Sequence, residues 1–279
     1  MLNIFILIIS FMSILSIELN REGARFCNFP KASRNNVTNT GFYVRGDEDF
    51  GMQRIRMNGN PGTCNPKIPK KWGSVITVAD GGTVRNVILG VSSDGTAADI
   101  NCMGSCTLKN VWWENACWRA ASFRATAEYN RRHTNQEGDS TGYTYIVDGG
   151  GALDGFQKFF DQSGPGKTII KNFCAVNSQI ILRSCGDCGK QYKRDLTIVD
   201  SRFKGPGLLI MGPNHDYKDK VTLRNVAVYG YNNPATKIAF ACVEAEQNAK
   251  NPWQYAWIPG KAGTGSSCNY PASAVKVVN

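Results

Sequence analysis

Short runs in which β-branched and other apolar residues alternate with polar ones recur along most of this chain. The clearest copies are Thr83-Val84-Arg85-Asn86-Val87, Thr107-Leu108-Lys109-Asn110-Val111, Ile146-Val147-Asp148, Ile170-Lys171-Asn172-Phe173, Thr197-Ile198-Val199-Asp200 and Thr222-Leu223-Arg224-Asn225-Val226. Alternation with a period of two places the apolar side chains on one side of an extended strand. From Asn86 to Asn110, Asp148, Asn172, Asp200 and Asn225 the steps are 24, 38, 24, 28 and 25 residues. No copy carries a helical period. Units of that length, none able to bury its apolar side alone, predict an all-β solenoid of stacked coils, a parallel β-helix. Glycines at Gly81-Gly82, Gly149-Gly150-Gly151 and Gly205 mark turns. The recurring Asn and Asp positions are expected to form side-chain ladders that hydrogen-bond from coil to coil. The long step contains the polar stretch Thr126 to Thr141, which predicts a loop leaving the solenoid, with Arg131, Arg132 and His133 as candidate groove residues.

Ahead of the repeats, Ile4 to Ile17 is an apolar run broken only by Ser10, Ser13 and Ser16. It is short for a bilayer span and reads as a secretory signal peptide over residues 1–20, leaving residues 21–279 as one domain. No second run of this kind follows, so the mature protein is expected to be extracellular, monomeric and free of any membrane anchor. All ten cysteines lie beyond the leader, and an even number in an exported chain predicts disulfides rather than a zinc site. Asn36-Val37-Thr38 is a glycosylation sequon, in keeping with export. A net charge of +10 attracts polyanions. The exported address, with no zinc-finger, RRM or helix-turn-helix pattern, disfavours nucleic acid and favours acidic polysaccharide.

Several longer motifs then narrow the reading. Trp112-Trp113-Glu114 with Ala120-Ala121-Ser122-Phe123, the Gly149-Gly150-Gly151 turn, Lys158 before Phe160, and Arg183-Ser184-Cys185-Gly186 with Gln191-Tyr192-Lys193-Arg194 occur in that order. Together they resemble the polysaccharide lyase family 3 pectate lyases, small enzymes secreted by bacteria, fungi and plant-parasitic nematodes, with the nematode members most similar in form. The resemblance implies a right-handed parallel β-helix that cleaves de-esterified polygalacturonate by β-elimination, degrading plant cell-wall pectin. It implies Lys158 as the base that takes the C5 proton and Arg183, 25 residues later and about one coil away, as the clamp on the uronate carboxylate. Arg119, Arg124, Lys193 and Arg194 are the implied substrate-binding cations.

Calcium is the family's cofactor, and the ligand slots differ here. The family's Ala-Asp-Gly-aliphatic-His-Cys run reads Ala97-Ala98-Asp99-Ile100-Asn101-Cys102, so Asp99 serves only with a glycine deleted. The Glu-Asp pair is Trp118-Arg119, and the Asp before the lysine is Gln157. A hard cation needs several anionic oxygens, which Asp154, Asp161 or the substrate would have to supply. Two expectations follow: Arg119 replaces the metal in a calcium-independent or weakened lyase, or turnover is lost and the groove only binds acidic polysaccharide or a partner protein.

Overall fold

A computed structural model describes residues 19–57, 74–90, 99–116, 118–127, 142–245 and 255–279. The apolar run of residues 4–17 and the loop cations Arg131, Arg132 and His133 lie outside the described residues. Among the described residues, no helix is long and apolar enough to cross a membrane.

The chain winds into a parallel β-helix whose strands pair from coil to coil in one 17-stranded sheet. Extended residues cannot close backbone hydrogen bonds within their own coil, so each strand takes its partners from the coils before and after it. Register therefore aligns like with like. On one side Ile76, Ile100, Ala121, Phe160, Leu182, Met211 and Cys242 form a continuous buried column. On another, Val84, Leu108, Val147, Ile170, Ile198 and Leu223 do the same. The predicted alternation is thus the core of the solenoid, and both columns belong to one cluster that includes the fully buried Trp113.

The Asn positions are the corners. Asn86, Asn110, Asn172, Asp200 and Asn225 all take left-handed backbone conformations, with φ between 50° and 56°. Asn and Asp tolerate that region best among residues with a Cβ. Their side chains hydrogen-bond between coils: Asn110 donates to Asn86 at 2.8 Å, Asn172 to Asp148 at 2.9 Å and Asn225 to Asp200 at 2.9 Å. One position differs from expectation by a single residue. Lys109 pairs with Asp148 and Val111 with Gly150, so the corner opposite Asn110 is Gly149, at φ 73°. Gly150 beside it must also lack a side chain, since a Cβ there would lie 1.9 Å from the Val111 carbonyl oxygen.

The helix Arg21–Cys27 packs along the outside. Asn20 caps it by accepting from the Gly23 N–H at 2.9 Å and also donates to Asp154 at 3.1 Å. Leu19 joins a small apolar cluster with Leu153 and Val176, so Leu19 and Asn20 belong to the folded body. Disulfides join Cys27–Cys174, Cys102–Cys106, Cys185–Cys188 and Cys242–Cys268, and no described cysteine is free. The disulfide expectation holds for these residues, and the bond from Cys27 fastens the helix to the solenoid.

Phe160 connects the core to the site: its ring stacks on Phe123 at 5.9 Å and meets Trp113 edge-on at 5.9 Å. Phe160→Ala is expected to destabilise the protein by about 3–5 kcal/mol in denaturant unfolding, because rigid neighbours on adjacent coils cannot close the cavity.

Candidate active site

The strand Tyr143–Gln162 brings Lys158 to a groove of about 470 Å³, and the strand Cys174–Ser184 on the next coil brings Arg183 to the same groove. Lys158 has Ile180 as its register partner, and Arg183 has Asp161. The one-coil spacing does place both cations on one face. Gln157, Gln179, Asn214, Asp216 and Tyr217 complete much of the lining, with Asp187.

A single outward row organises the charges. Thr77, Asn101, Ser122, Asp161, Arg183 and Gly212 follow one another on successive coils. Asp161, buried to 6% exposure, is its electrostatic centre. Its Oδ1 lies 3.2 Å from Lys158 Nζ, and its Oδ2 accepts from Arg119 Nη1 at 3.3 Å. Arg119 also donates to Ser122 Oγ at 3.5 Å. Arg183 differs: among the described residues its guanidinium has no ion-pair partner. Gly186 and Gly212 flank it: a Cβ added at Gly212 would sit 3.6 Å from Arg183 Cγ and one at Gly186 4.0 Å from Nη2, both ordinary contact distances.

The loop after Arg183 is held firmly. The Cys185–Cys188 disulfide closes it, Gln191 donates to the Gly186 and Cys188 carbonyls at 2.9 and 3.1 Å, and Asn214 donates to the Cys185 carbonyl at 2.8 Å. Arg194 completes this scaffold from within and requires a correction. It is fully buried, donating to the carbonyls of Ser163, Gly164 and Cys185 and to Ser184 Oγ at 2.8, 3.1, 3.2 and 3.0 Å, so it cannot meet substrate. Alternation already carried the signal: Arg194, Leu196 and Ile198 share one parity, and all three face inward. Lys193, half-buried beside it, does not line the groove.

Asp99 lies at the other end of the row. Burial pushes its carboxyl up to about 6, against the opposing pull of Arg124 and then Arg119. Ser74 Oγ donates to its Oδ2 at 3.5 Å, and Asn101 Nδ2 bonds the same hydroxyl. Arg124 thus takes part through Asp99, and its carbonyl accepts from Tyr145 OH at 2.9 Å. Of the ten buried side-chain atoms without a hydrogen bond among the described residues, five are here: Asp99 Oδ1, Asn101 Oδ1, Arg119 Nε, Gln157 Oε1 and Asp161 Oδ1, the last of which is ion-paired with Lys158. Unsatisfied buried polar atoms are rare in folded proteins, so the other four call for water, an ion or a bound molecule as partner.

Only one group of three metal-ligating side chains converges among the described residues, Cys185, Asp187 and Cys188, and its two sulfurs are joined in a disulfide. Among the described residues Asp99 and Asp161 do not gather a third carboxylate, and Arg119 stands against both.

Comparison with known proteins decides the affiliation. A model of the pectate lyase family matches residues 27–239. The chain belongs to the pectate lyase family. A probable pectate lyase E of Aspergillus flavus is 31% identical over 229 residues, covering 81% of this chain and 76% of the relative. A probable pectate lyase D of Emericella nidulans is 28% identical over 261 residues, covering 91% and 87%. Among solved structures, the catalytic domain of pectate lyase PelI from Erwinia chrysanthemi aligns with a TM-score of 0.63 at 23% identity, over 88% of this chain and 100% of that one. PelI in complex with tetragalacturonic acid aligns with a TM-score of 0.62 at 24% identity, over 87% and 70%. At these identities the two structures speak to the fold, which is the parallel β-helix.

Three members of the site escape the motif reading. Asp161 was weighed there only as a spare calcium ligand, though its position three residues after Lys158 was a usable sign. Asn214 and Tyr217 fall between repeats, where no pattern marks them.

Two outcomes are expected. Asp99 is neutral more readily folded than unfolded, so its folding contribution is complete below about pH 4 and is lost as pH rises through about 6. Asp99→Asn should therefore leave unfolding free energy unchanged at pH 4 and raise it by up to about 3 kcal/mol at pH 8. Arg194→Met should lower stability by about 3 kcal/mol or more in denaturant unfolding, by stranding several buried acceptors.

Proposed function

We propose that the groove is the active site of a secreted family 3 pectate lyase, of the nematode-like type, in which guanidinium groups do the work usually given to calcium. The observation that carries this reading is the placement of Lys158 and Arg183 on adjacent coils of one groove in a pectate lyase family chain. The substrate is polygalacturonate. The leader read in residues 1–20 would export the domain that follows it.

Elimination removes the proton on C5, next to the uronate carboxylate, and breaks the bond from C4 to the glycosidic oxygen. A C4–C5 double bond forms in one product, and the leaving oxygen takes up a proton. The C5 proton is weakly acidic, so negative charge building up on the carboxylate must be neutralised. Arg183 has no ion-pair partner among the described residues and is suited to a two-point grip on that carboxylate. Lys158 accepts the C5 proton in its uncharged form, which requires its own proton to leave the Asp161 ion pair first. Arg119, which does not line the groove, holds Asp161 through Nη1 and so adds positive charge behind Lys158. Arg124 acts behind it, on Asp99.

The residues in the calcium slots do not fit calcium. A hard cation needs several anionic oxygens, whereas the set here is a carboxyl pushed up to about 6, an amide, an indole and a guanidinium. A fixed guanidinium neutralises a carboxylate without a metal. No observation favours the reading in which turnover is lost.

Release of unsaturated product from polygalacturonate, followed by ultraviolet absorbance at alkaline pH, is expected to continue undiminished in chelator. Lys158→Ala should lower kcat by about 10²- to 10⁴-fold and Arg183→Ala by about 10²- to 10³-fold. Activity abolished by chelator and restored by calcium would overturn the metal-free site; no product in either condition would overturn the lyase.

A further inference from the structure

Phe156 is 66% exposed, an uncommon setting for a large apolar ring, and it stands two residues before Lys158. It is held by a neighbour rather than by the core. Its ring stacks on Trp118 with centroids 5.4 Å apart and planes inclined by 28°. The Trp118 carbonyl in turn accepts from the Lys158 N–H at 3.4 Å, so the aromatic pair is tied to the segment that delivers Lys158. Gln157 and Lys158, the next two residues, line the groove. With the indole over one face and two thirds of the residue exposed, the other face of Phe156 is open to solvent.

We propose that the Phe156–Trp118 pair is a sugar-stacking subsite, holding the galacturonate ring next to the one whose C5 is presented to Lys158. This rests on the lyase reading of the groove. A galacto-configured ring carries its O4 axially, which leaves the C–H groups at C3, C4 and C5 together on one face. That face is weakly electropositive and apolar, and it matches the negative face of an aromatic ring. Lys158, Arg183 and Arg119 attract carboxylates but accept either face of the sugar. A flat aromatic surface chooses the face. Because successive rings are joined by a stiff glycosidic link, fixing the face of one ring restricts which hydrogens of the next point at the base. Phe and Trp are suited to this, having only two side-chain torsions to immobilise.

Calorimetric titration with trigalacturonate tests the subsite, using Lys158→Ala to prevent turnover. Adding Phe156→Ala is expected to weaken binding by about 2- to 12-fold, the range that one aromatic stacking contact supplies. Phe156→Tyr should retain it. In the active protein, Phe156→Ala should raise KM for polygalacturonate by a similar factor. Binding that depends on Phe156 in a protein giving no unsaturated product would support the subsite while the lyase reading fails. Unchanged affinity and KM in Phe156→Ala, with product still formed, would overturn the subsite alone. A shift from dimer to monomer on sedimentation with affinity unchanged would also overturn it, assigning the ring to a contact between copies.

Discussion

Every extended residue of this chain must find its backbone partner on another coil, and that requirement sets all that follows. Strands stack about 4.8 Å apart in register, so a residue's nearest neighbours are its counterparts one coil before and one coil after. Side chains are read in columns. A column of Ile, Phe, Leu and Met becomes core, a column of Asn becomes a corner ladder, and the column Asn101, Ser122, Asp161, Arg183 becomes the floor of a site. A one-residue slip would exchange core and surface along a whole strand, and the left-handed Asn corners, hydrogen-bonded from coil to coil, oppose that slip.

Stacking also brings charges closer than an open surface would permit. Lys158 is only 13% exposed in its side chain and Arg119 20%, so both need an anion within reach, and Asp161 supplies it to both. A buried carboxylate between two cations orients them and fixes their number of free contacts. The cost of desolvating the three groups is offset only while they remain together, which is why such a trio favours specificity of arrangement over raw stability. Arg183, one step further along the row, has no such ion pair among the described residues.

Much of this was legible in the sequence. The period of the repeats and the alternation within them gave the solenoid, and the spacing of Lys158 and Arg183 placed both on one groove. What the repeats did not give follows from the same physics. The corner shifted from Asp148 to Gly149 because a left-handed turn adjoining a close backbone contact suits glycine better than a carboxylate. Arg194 was grouped with its cationic neighbours as a substrate contact, although its parity matched Leu196 and Ile198. A motif lists residues by type, and only parity tells which side of the strand they occupy. Asn214 and Tyr217 sit where coils are joined by irregular chain, beyond any periodic argument.

The run Arg183 to Arg194 shows how one stretch divides its cations between structure and chemistry. Arg194 spends its donors on carbonyls inside the coil and on Ser184, so the loop that carries Gly186 cannot drift across Arg183. Asp219 accepts from the backbone of both Arg194 and Asn214 and joins the same network, its carboxyl raised by burial. The half-buried guanidinium of Arg183 is therefore presented by the fully buried one of Arg194. A site that neutralises substrate with side chains in place of a metal depends on this support, since a metal ion fixes its own ligands whereas a guanidinium is only as well placed as the backbone beneath it.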